Sequence, residues 1–411
     1  MLKLDLIQTL AFAGIVLFVG YGIRRAIPPL ARVNVPAPVI GGLLAAVIIL
    51  AARRAGVELV SFDTTLQSPL MIAFFTTIGF GASLSLLRSG GPQVLLFFGI
   101  ATVFAVTQNA LGMLLAIPLG VHPLFGVLAG SVTLTGGPAT GLAFAPDFEA
   151  VGVPAAATVA VAAAMVGIIS GGLIGGPIGT WLVERNRLRT ARAGGPHLEP
   201  PTAASVVEDR MVERERESTA PEGEDKESYV LLKNVVCILV AMWIGSWVSA
   251  WFTGMGIKLP AYIGAMLVAA AIRNFDEATR WIGLSQRTID DVGGVALSLF
   301  ITMALMTLKL WELVGLAIPL LVILVAQVAL IAAVCVLIFR LMGRDYDAAV
   351  MSGGFCGFML GTTANAMANM EALVEKYGPA PRAFLVVPMV GAFFIDFTNA
   401  VIITTILNFW R

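Results

Sequence analysis

The chain has 411 residues, 58% of them hydrophobic and 13% charged, and its 26 Lys and Arg balance 26 Asp and Glu. Soluble domains carry about 25% charged residues, so a soluble globular protein is excluded, and zero net charge leaves no basic field for nucleic acid. Several apolar runs approach or exceed the roughly 20 residues that span a lipid bilayer, which makes this an all-α polytopic membrane protein.

In chain order, apolar segments are predicted at 6–27, 37–52, 69–87, 93–119 and 154–184. A polar stretch follows at 185–228, with eight Lys and Arg against ten Asp and Glu, and reads as a solvated linker. Apolar segments resume at 230–254, 260–273, 290–308, 312–340 and 381–410. Between the fourth and fifth segments of each set lies a stretch that is neither a clean span nor a polar loop, at 122–146 and at 346–372. The expected organisation is therefore an N-terminal repeat (1–184), a linker (185–228) and a C-terminal repeat (229–411).

Local matches support a duplication. "PAPVIGGLLAAVI" from Pro36 resembles "PAYIGAMLVAAAI" from Pro260, and "MVG" at Met165 recurs at Met389, an offset of 224. Gly137 pairs with Gly361 at the same offset, and Gln108 has a looser counterpart in Gln327. Five spans per repeat is an odd number, so the second copy is predicted to be inverted in the membrane. With the N-terminus outside, sixteen Lys and Arg fall on the inner side and six on the outer. Positive charge favours the cytoplasm, so both termini are expected outside and the linker in the cytoplasm.

The stretch "SVTLTGGPATG" (131–141) has the hydroxyls and glycines of backbone that leaves the helix at membrane depth. Such backbone survives only where protein or a water-filled cavity satisfies it. The expectation is a re-entrant hairpin of helix, tight turn and helix, with Gly136, Gly137 and Gly141 permitting the turn and Pro138 opening the returning helix. A glycine-rich surface loop is the plainer alternative. "GTTANAMAN" (361–369), with Thr362, Thr363, Asn365 and Asn369, fills the equivalent slot with similar small polar chemistry. Two inverted hairpins would bring their tips together near the midplane, where secondary transporters bind cargo. Asp396 lies mid-segment, with no Lys or Arg between Arg382 and Arg411. A carboxylate at such a depth costs about 2.5–3.5 kcal/mol even on an insertion scale. It suits a sodium ligand, a proton carrier or a partner for a substrate ammonium, with a protonated acid bonded to a neighbouring helix as the structural alternative. Asn399 shares its helix face.

Other features read as structural. Gly167, Gly171, Gly175 and Gly179 form one stripe that suits close helix packing. Cys237, Cys335 and Cys356 lack metal spacing and read as buried hydrophobes. With His122 and His197 the only histidines, a histidine-based catalytic cluster is not expected. The first segment lacks a basic leader and cleavage site and reads as a retained span.

Four stretches, "PLMIAFFTTIGF", "SLSLFITMALMTLKLWEL", "GRDYDAAVMSGGFCGF" and "AFLVVPMVGAFFID", together resemble the bacterial sodium/glutamate symporter family. The resemblance runs through nearly the whole chain outside the linker. It implies a sodium-coupled importer of L-glutamate in the cell inner membrane, with two inverted repeats, a homodimer and an elevator-like motion. Sodium is then a coupling ion and no cofactor is needed. Carried across by resemblance, the first tip falls on Thr133, Thr135, Gly136, Gly137, Thr140 and Gly141, beside Ser131. The second falls on Gly357, Gly361, Thr362, Asn365 and Asn369, beside Thr363. Sodium candidates are Asp396, Asn399, Thr135 and Asn365. One departure stands out: where the family's first tip reads Gly-Gly-His-Gly-Thr-Gly, this chain has Pro138 and Ala139 in place of His and Gly. A proton-coupled or exchanging carrier of another organic anion is the alternative. A channel and a membrane-embedded enzyme are more distant rivals.

Overall fold

The computed structural model describes residues 2–32, 34–57, 59–85, 91–188, 226–256, 259–313 and 315–410. The predicted linker lies almost wholly outside them, as do Arg88, Arg189, Arg192, His197, Lys258 and Arg411. The described chain is nearly all helical; two two-residue strands, Leu2–Lys3 and Val60–Ser61, pair in parallel near the N-terminus.

In order the helices are α1 (Leu6–Ala26), α2 (Pro28–Arg32), α3 (Ala37–Arg54), α4 (Gln67–Phe80) and α5 (Gly91–Ala116). A first helix–break–helix segment, called the first hairpin below, follows: α6 (Pro123–Val127) runs into a π turn (Leu128–Val132), and α7 (Gly137–Ala150) begins after the break. Next come α8 (Ala156–Arg185), α9 (Lys226–Gly254), α10 (Ala261–Thr279), α11 (Gln286–Met306) and α12 (Ala317–Leu341). The second hairpin is α13 (Tyr346–Leu360) and α14 (Thr363–Tyr377). The chain closes with α15 (Pro381–Met389), a π turn (Val390–Phe394) and α16 (Ile395–Trp410).

Seven of the described helices, α1, α3, α5, α8, α9, α11 and α12, are long and apolar enough to cross a bilayer. The apolar helices α4 and α16 are shorter. The segment expected at 381–410 is helical throughout, with Pro388 near the end of α15 and a π turn directly after it. Proline removes a helix hydrogen bond and crowds the preceding turn, and a π turn absorbs the misfit. Helix α10 runs on to Thr279, beyond the expected 273, because its polar end is satisfied locally. Asp276 accepts the N–H groups of Ile282 (2.7 Å), Gly283 (3.0 Å) and Leu284 (2.9 Å), and Arg273 pairs with Glu277 at 2.9 Å.

The helices pack as two sets. One comprises α1, α3, α4, α9, α10 and α11; the other comprises α5 to α8 and α12 to α16. Glycines set the closest crossings in the first set. A side chain on Gly20 would collide with the Ala37 carbonyl of α3, and one on Gly41 with the Val16 carbonyl of α1. The α9–α10 crossing repeats this device, with Gly245 against Ala265 and Gly264 against the Gly245 carbonyl. The boundary between the sets is apolar: Ala139, Leu142 and Val161 of one meet Val39, Phe300, Ala304 and Leu305 of the other. Tyr262 of α10 adds an aromatic bridge, 4.8 Å from Phe75 of its own set and 5.3 Å from Phe144 across the boundary.

Candidate functional site

The two hairpins break at facing points. In the first, the chain turns at Thr135 and Gly136, and α7 starts at Gly137 with φ +68°, a conformation glycine adopts without strain. Pro138 occupies the first turn of α7, where its missing N–H costs least. In the second, α13 ends at Leu360, Gly361 and Thr362 are non-helical, and α14 starts at Thr363. A Cβ placed on Gly137 would lie 3.5 Å from the Gly361 carbonyl oxygen and 3.6 Å from the Thr362 methyl. The starts of α7 and α14 therefore approach one another. Neither has a side-chain cap hydrogen bond, and uncapped helix starts attract anionic groups.

One side chain spans both breaks. Gln108 is fully buried in the middle of α5. Its Oε1 accepts the Thr135 hydroxyl at 2.7 Å, and its Nε2 donates to the Met359 carbonyl at 3.1 Å, at the end of α13. Its backbone carbonyl accepts Nε2 of Gln327 from α12 at 2.7 Å. The adjacent Asn109 accepts the Ser131 N–H at 3.0 Å, and Asn399 of α16 donates to the Ser131 carbonyl at 2.9 Å. Bonds inside a low-dielectric interior reinforce one another, and any polar group left unmet there is costly.

The remaining site residues predicted from sequence divide by environment. Gly361, Thr362 and Thr363 lie at the second turn, and Thr363 donates to the Gly391 carbonyl at 3.0 Å, inside the second π turn. Asn365 and Asn369 reach back to α8, donating to the carbonyls of Ile168 (2.8 Å) and Gly171 (2.9 Å). Thr133 bonds within its own helix, to Leu128 O at 2.8 Å. Thr140 folds over Gly136; Gly141 packs against Ala160 and Thr133, and Gly357 against Asn365 and Asn369. The stripe of Gly167, Gly171, Gly175 and Gly179 packs against the second hairpin, facing Leu360, Gly357, Asn369 and Leu373 in turn. Asp396 is half-buried on α16, one turn before Asn399, with no hydrogen-bond or ion-pair partner among the described residues.

Sequence reasoning missed Asn109 altogether and took Gln108 only as a sign of repetition. The signal was an amide pair, "TQNA", in the middle of an otherwise apolar 26-residue helix. It also gave no hint of the two π turns, which flank the polar centre and depend on tertiary contacts.

Long apolar helices around a buried polar centre at two helix breaks define a polytopic membrane protein of the transport class. Comparison with known proteins supplies the family. The sodium/glutamate symporter family matches residues 2–379. The sodium/glutamate symporter of Escherichia coli (strain K12) is 40% identical over 407 residues, covering 98% of this chain and 97% of that one. Its counterpart in Haemophilus influenzae is 39% identical over 399 residues, covering 96% and 95%. This chain belongs to the sodium/glutamate symporter family, a family of transporters and not of enzymes. Among solved structures, the sodium proton antiporter MjNhaP1 from Methanocaldococcus jannaschii matches over 99% of both chains, at 15% identity and a TM-score of 0.44.

Proposed function

We propose that this protein imports L-glutamate with sodium across a bacterial inner membrane, by alternating access, with cargo bound where the two hairpins meet. The observation that carries this reading is the approach of two uncapped helix starts, at Gly137 and Thr363, within a buried polar centre. Glutamate has two carboxylates and one ammonium. The starts of α7 and α14 suit the carboxylates, with Thr135, Thr362 and Thr363 at hand as hydroxyl donors. Asp396 suits the ammonium or a sodium ion, and Asn399, Thr135 and Asn365 supply oxygens of the type sodium prefers. Net inward movement of positive charge adds about 2.3 kcal/mol per charge per 100 mV of membrane potential.

The same proposal covers architecture. Two inverted repeats, 1–184 and 229–411, each contain a re-entrant hairpin, and the linker is cytoplasmic with both termini outside. Pairwise packing supports this: α1 on α3 parallels α9 on α10, and α3 on α11 parallels α10 on α4. The set containing both hairpins is the moving body of an elevator, and the apolar boundary of Ala139, Leu142 and Val161 is the surface on which it slides. A smooth apolar boundary supports sliding because few directional bonds must break. A homodimer follows from the family resemblance.

The test is uptake of labelled L-glutamate into tight proteoliposomes under a sodium gradient, a proton gradient, or with internal unlabelled anion. Accumulation driven by sodium alone is expected. Accumulation driven by protons or by exchange would instead favour the alternative carrier of another organic anion. Asp396→Asn should reduce sodium-driven uptake at least ~100-fold with unchanged membrane levels, given what an in-span charge costs to keep. Wild-type rates in that variant would remove Asp396 from the site.

A further inference from the structure

The polar centre holds several buried oxygens that no hydrogen bond meets. Ser131 Oγ, Asn399 Oδ1, Asn365 Oδ1 and Gln327 Oε1 are all buried without a hydrogen-bond partner among the described residues, whereas Asn109 Nδ2 is the unpartnered amide donor there. Two of these oxygens belong to one cluster. Ser131 and Asn399 are both 0% exposed, and the Asn399 amide nitrogen donates to the Ser131 carbonyl at 2.9 Å. That bond commits the Asn399 amide nitrogen and leaves its oxygen unmet.

The backbone beside Ser131 is shaped for this. Gly130 has φ −101° and ψ −129°, which breaks the helix inside the first π turn. A Cβ on Gly130 would lie 2.9 Å from Asn109 Oδ1, so glycine permits the close approach by which Asn109 holds the Ser131 N–H. π turns recur at functional sites, and interrupted helices are where transporters coordinate small cations. Buried oxygens without donors are costly to leave unmet, and a hard monovalent cation meets them directly. Asp396, one turn before Asn399 on the same helix face, supplies the balancing negative charge.

We propose that Ser131 Oγ and Asn399 Oδ1 are ligands of the coupling sodium ion, held beneath the first hairpin's turn and balanced by Asp396. Asn109 is a positioning residue in this arrangement, because its oxygen is occupied by the Ser131 N–H. The inference rests on the sodium-coupled reading above and specifies where the ion sits.

The experiment uses the purified full-length protein. Thermal unfolding is followed without glutamate in sodium chloride or choline chloride of equal ionic strength, for wild type, Ser131→Ala, Ser131→Cys and Asn399→Ala. Sodium dependence of glutamate uptake is measured in parallel. Sodium should raise the wild-type midpoint, and this shift should vanish in all three variants. The sodium concentration for half-maximal uptake should rise at least tenfold. Half-saturation by glutamate at saturating sodium should change less than twofold, which shows that the variants fold and keep the cargo site. Sodium responses within twofold of wild type in Ser131→Ala and Ser131→Cys would overturn the assignment and leave a buried water as the occupant. A wild-type protein that neither binds sodium nor transports with it would overturn the sodium-coupled reading as well.

Discussion

The two hairpins occupy matching places in the chain but differ at their turns, one buried and the other partly exposed. The first is held close to its turn, where Gln108, Asn109 and Asn399 bond Thr135 and Ser131. Its turn is buried apart from a partly exposed Gly136. The second is held at its turn too, by Gln108 on the Met359 carbonyl and by Thr363 on the Gly391 carbonyl, and it is clamped at its base as well. The Tyr346 hydroxyl donates to the Gly378 carbonyl at 2.6 Å, Arg382 pairs with Asp345, and Asp347 accepts the Arg382 N–H at 3.0 Å. Partway along, Asn365 and Asn369 tie it to α8. Its turn is more exposed: Thr362 and Thr363 are half-buried and Ala364 is exposed. Both turns are anchored, so what separates them is exposure: the first is closed off and the second is open at Ala364. On the proposed reading, cargo reaches the centre past that exposed turn.

Several substitutions break or sharpen that contrast. Gln108→Ala should have the largest effect on stability, because it strips the partner from both the Thr135 hydroxyl and the Met359 carbonyl. At about 1–3 kcal/mol for each buried group left unsatisfied, roughly 2–6 kcal/mol is expected, read as a large fall in the thermal midpoint and in uptake. Asn369→Ala removes a buried hydrogen bond to the Gly171 carbonyl, which keeps its helix partner, and should cost about 0.5–1.5 kcal/mol. It acts on the second hairpin alone, so glutamate half-saturation should change more than sodium dependence. Arg382→Ala loosens the base of the second hairpin through a partly exposed pair and should cost about 0.5–1 kcal/mol, with modestly faster proteolysis at the hairpin base. Lys376→Ala removes an exposed pair with Glu184 at 3.3 Å, so stability should change by at most about 0.5 kcal/mol and uptake should stay unaltered. If Gln108→Ala and Lys376→Ala proved equally mild, the first hairpin would not be held at its turn.

Much of the fold was readable from sequence because its signals are local. Apolar runs of membrane length mark the helices, and "TGGPATG" and "LGTTANA" mark the two breaks, since glycine, proline and threonine act on their own backbone. Pro138 opening α7 followed from the same local rule. The rest depends on partners far along the chain. Nothing adjacent to Gln108 says that it will join Thr135 to Met359, which is 251 residues away. Nor does sequence show that Asn369 bonds α8, 198 residues back, or that Asn399 reaches Ser131, 268 residues back. The glycine stripe of α8 was legible as a packing surface, but not that the second hairpin is what packs there.

The central claim is that cargo binds at the meeting of the two hairpins, reached past the second. Its most direct test is a thiol-labelling measurement in a functional background with Cys237, Cys335 and Cys356 replaced. Single cysteines are introduced as Ala364→Cys in the second turn and Ala139→Cys in the first. A water-soluble maleimide should modify the Ala364→Cys protein readily and the Ala139→Cys protein slowly. Sodium plus L-glutamate together should protect the Ala364→Cys protein at least fivefold, while sodium with an unrelated amino acid should not. Modification at that position with the same rate in the presence and absence of sodium and glutamate would contradict the account.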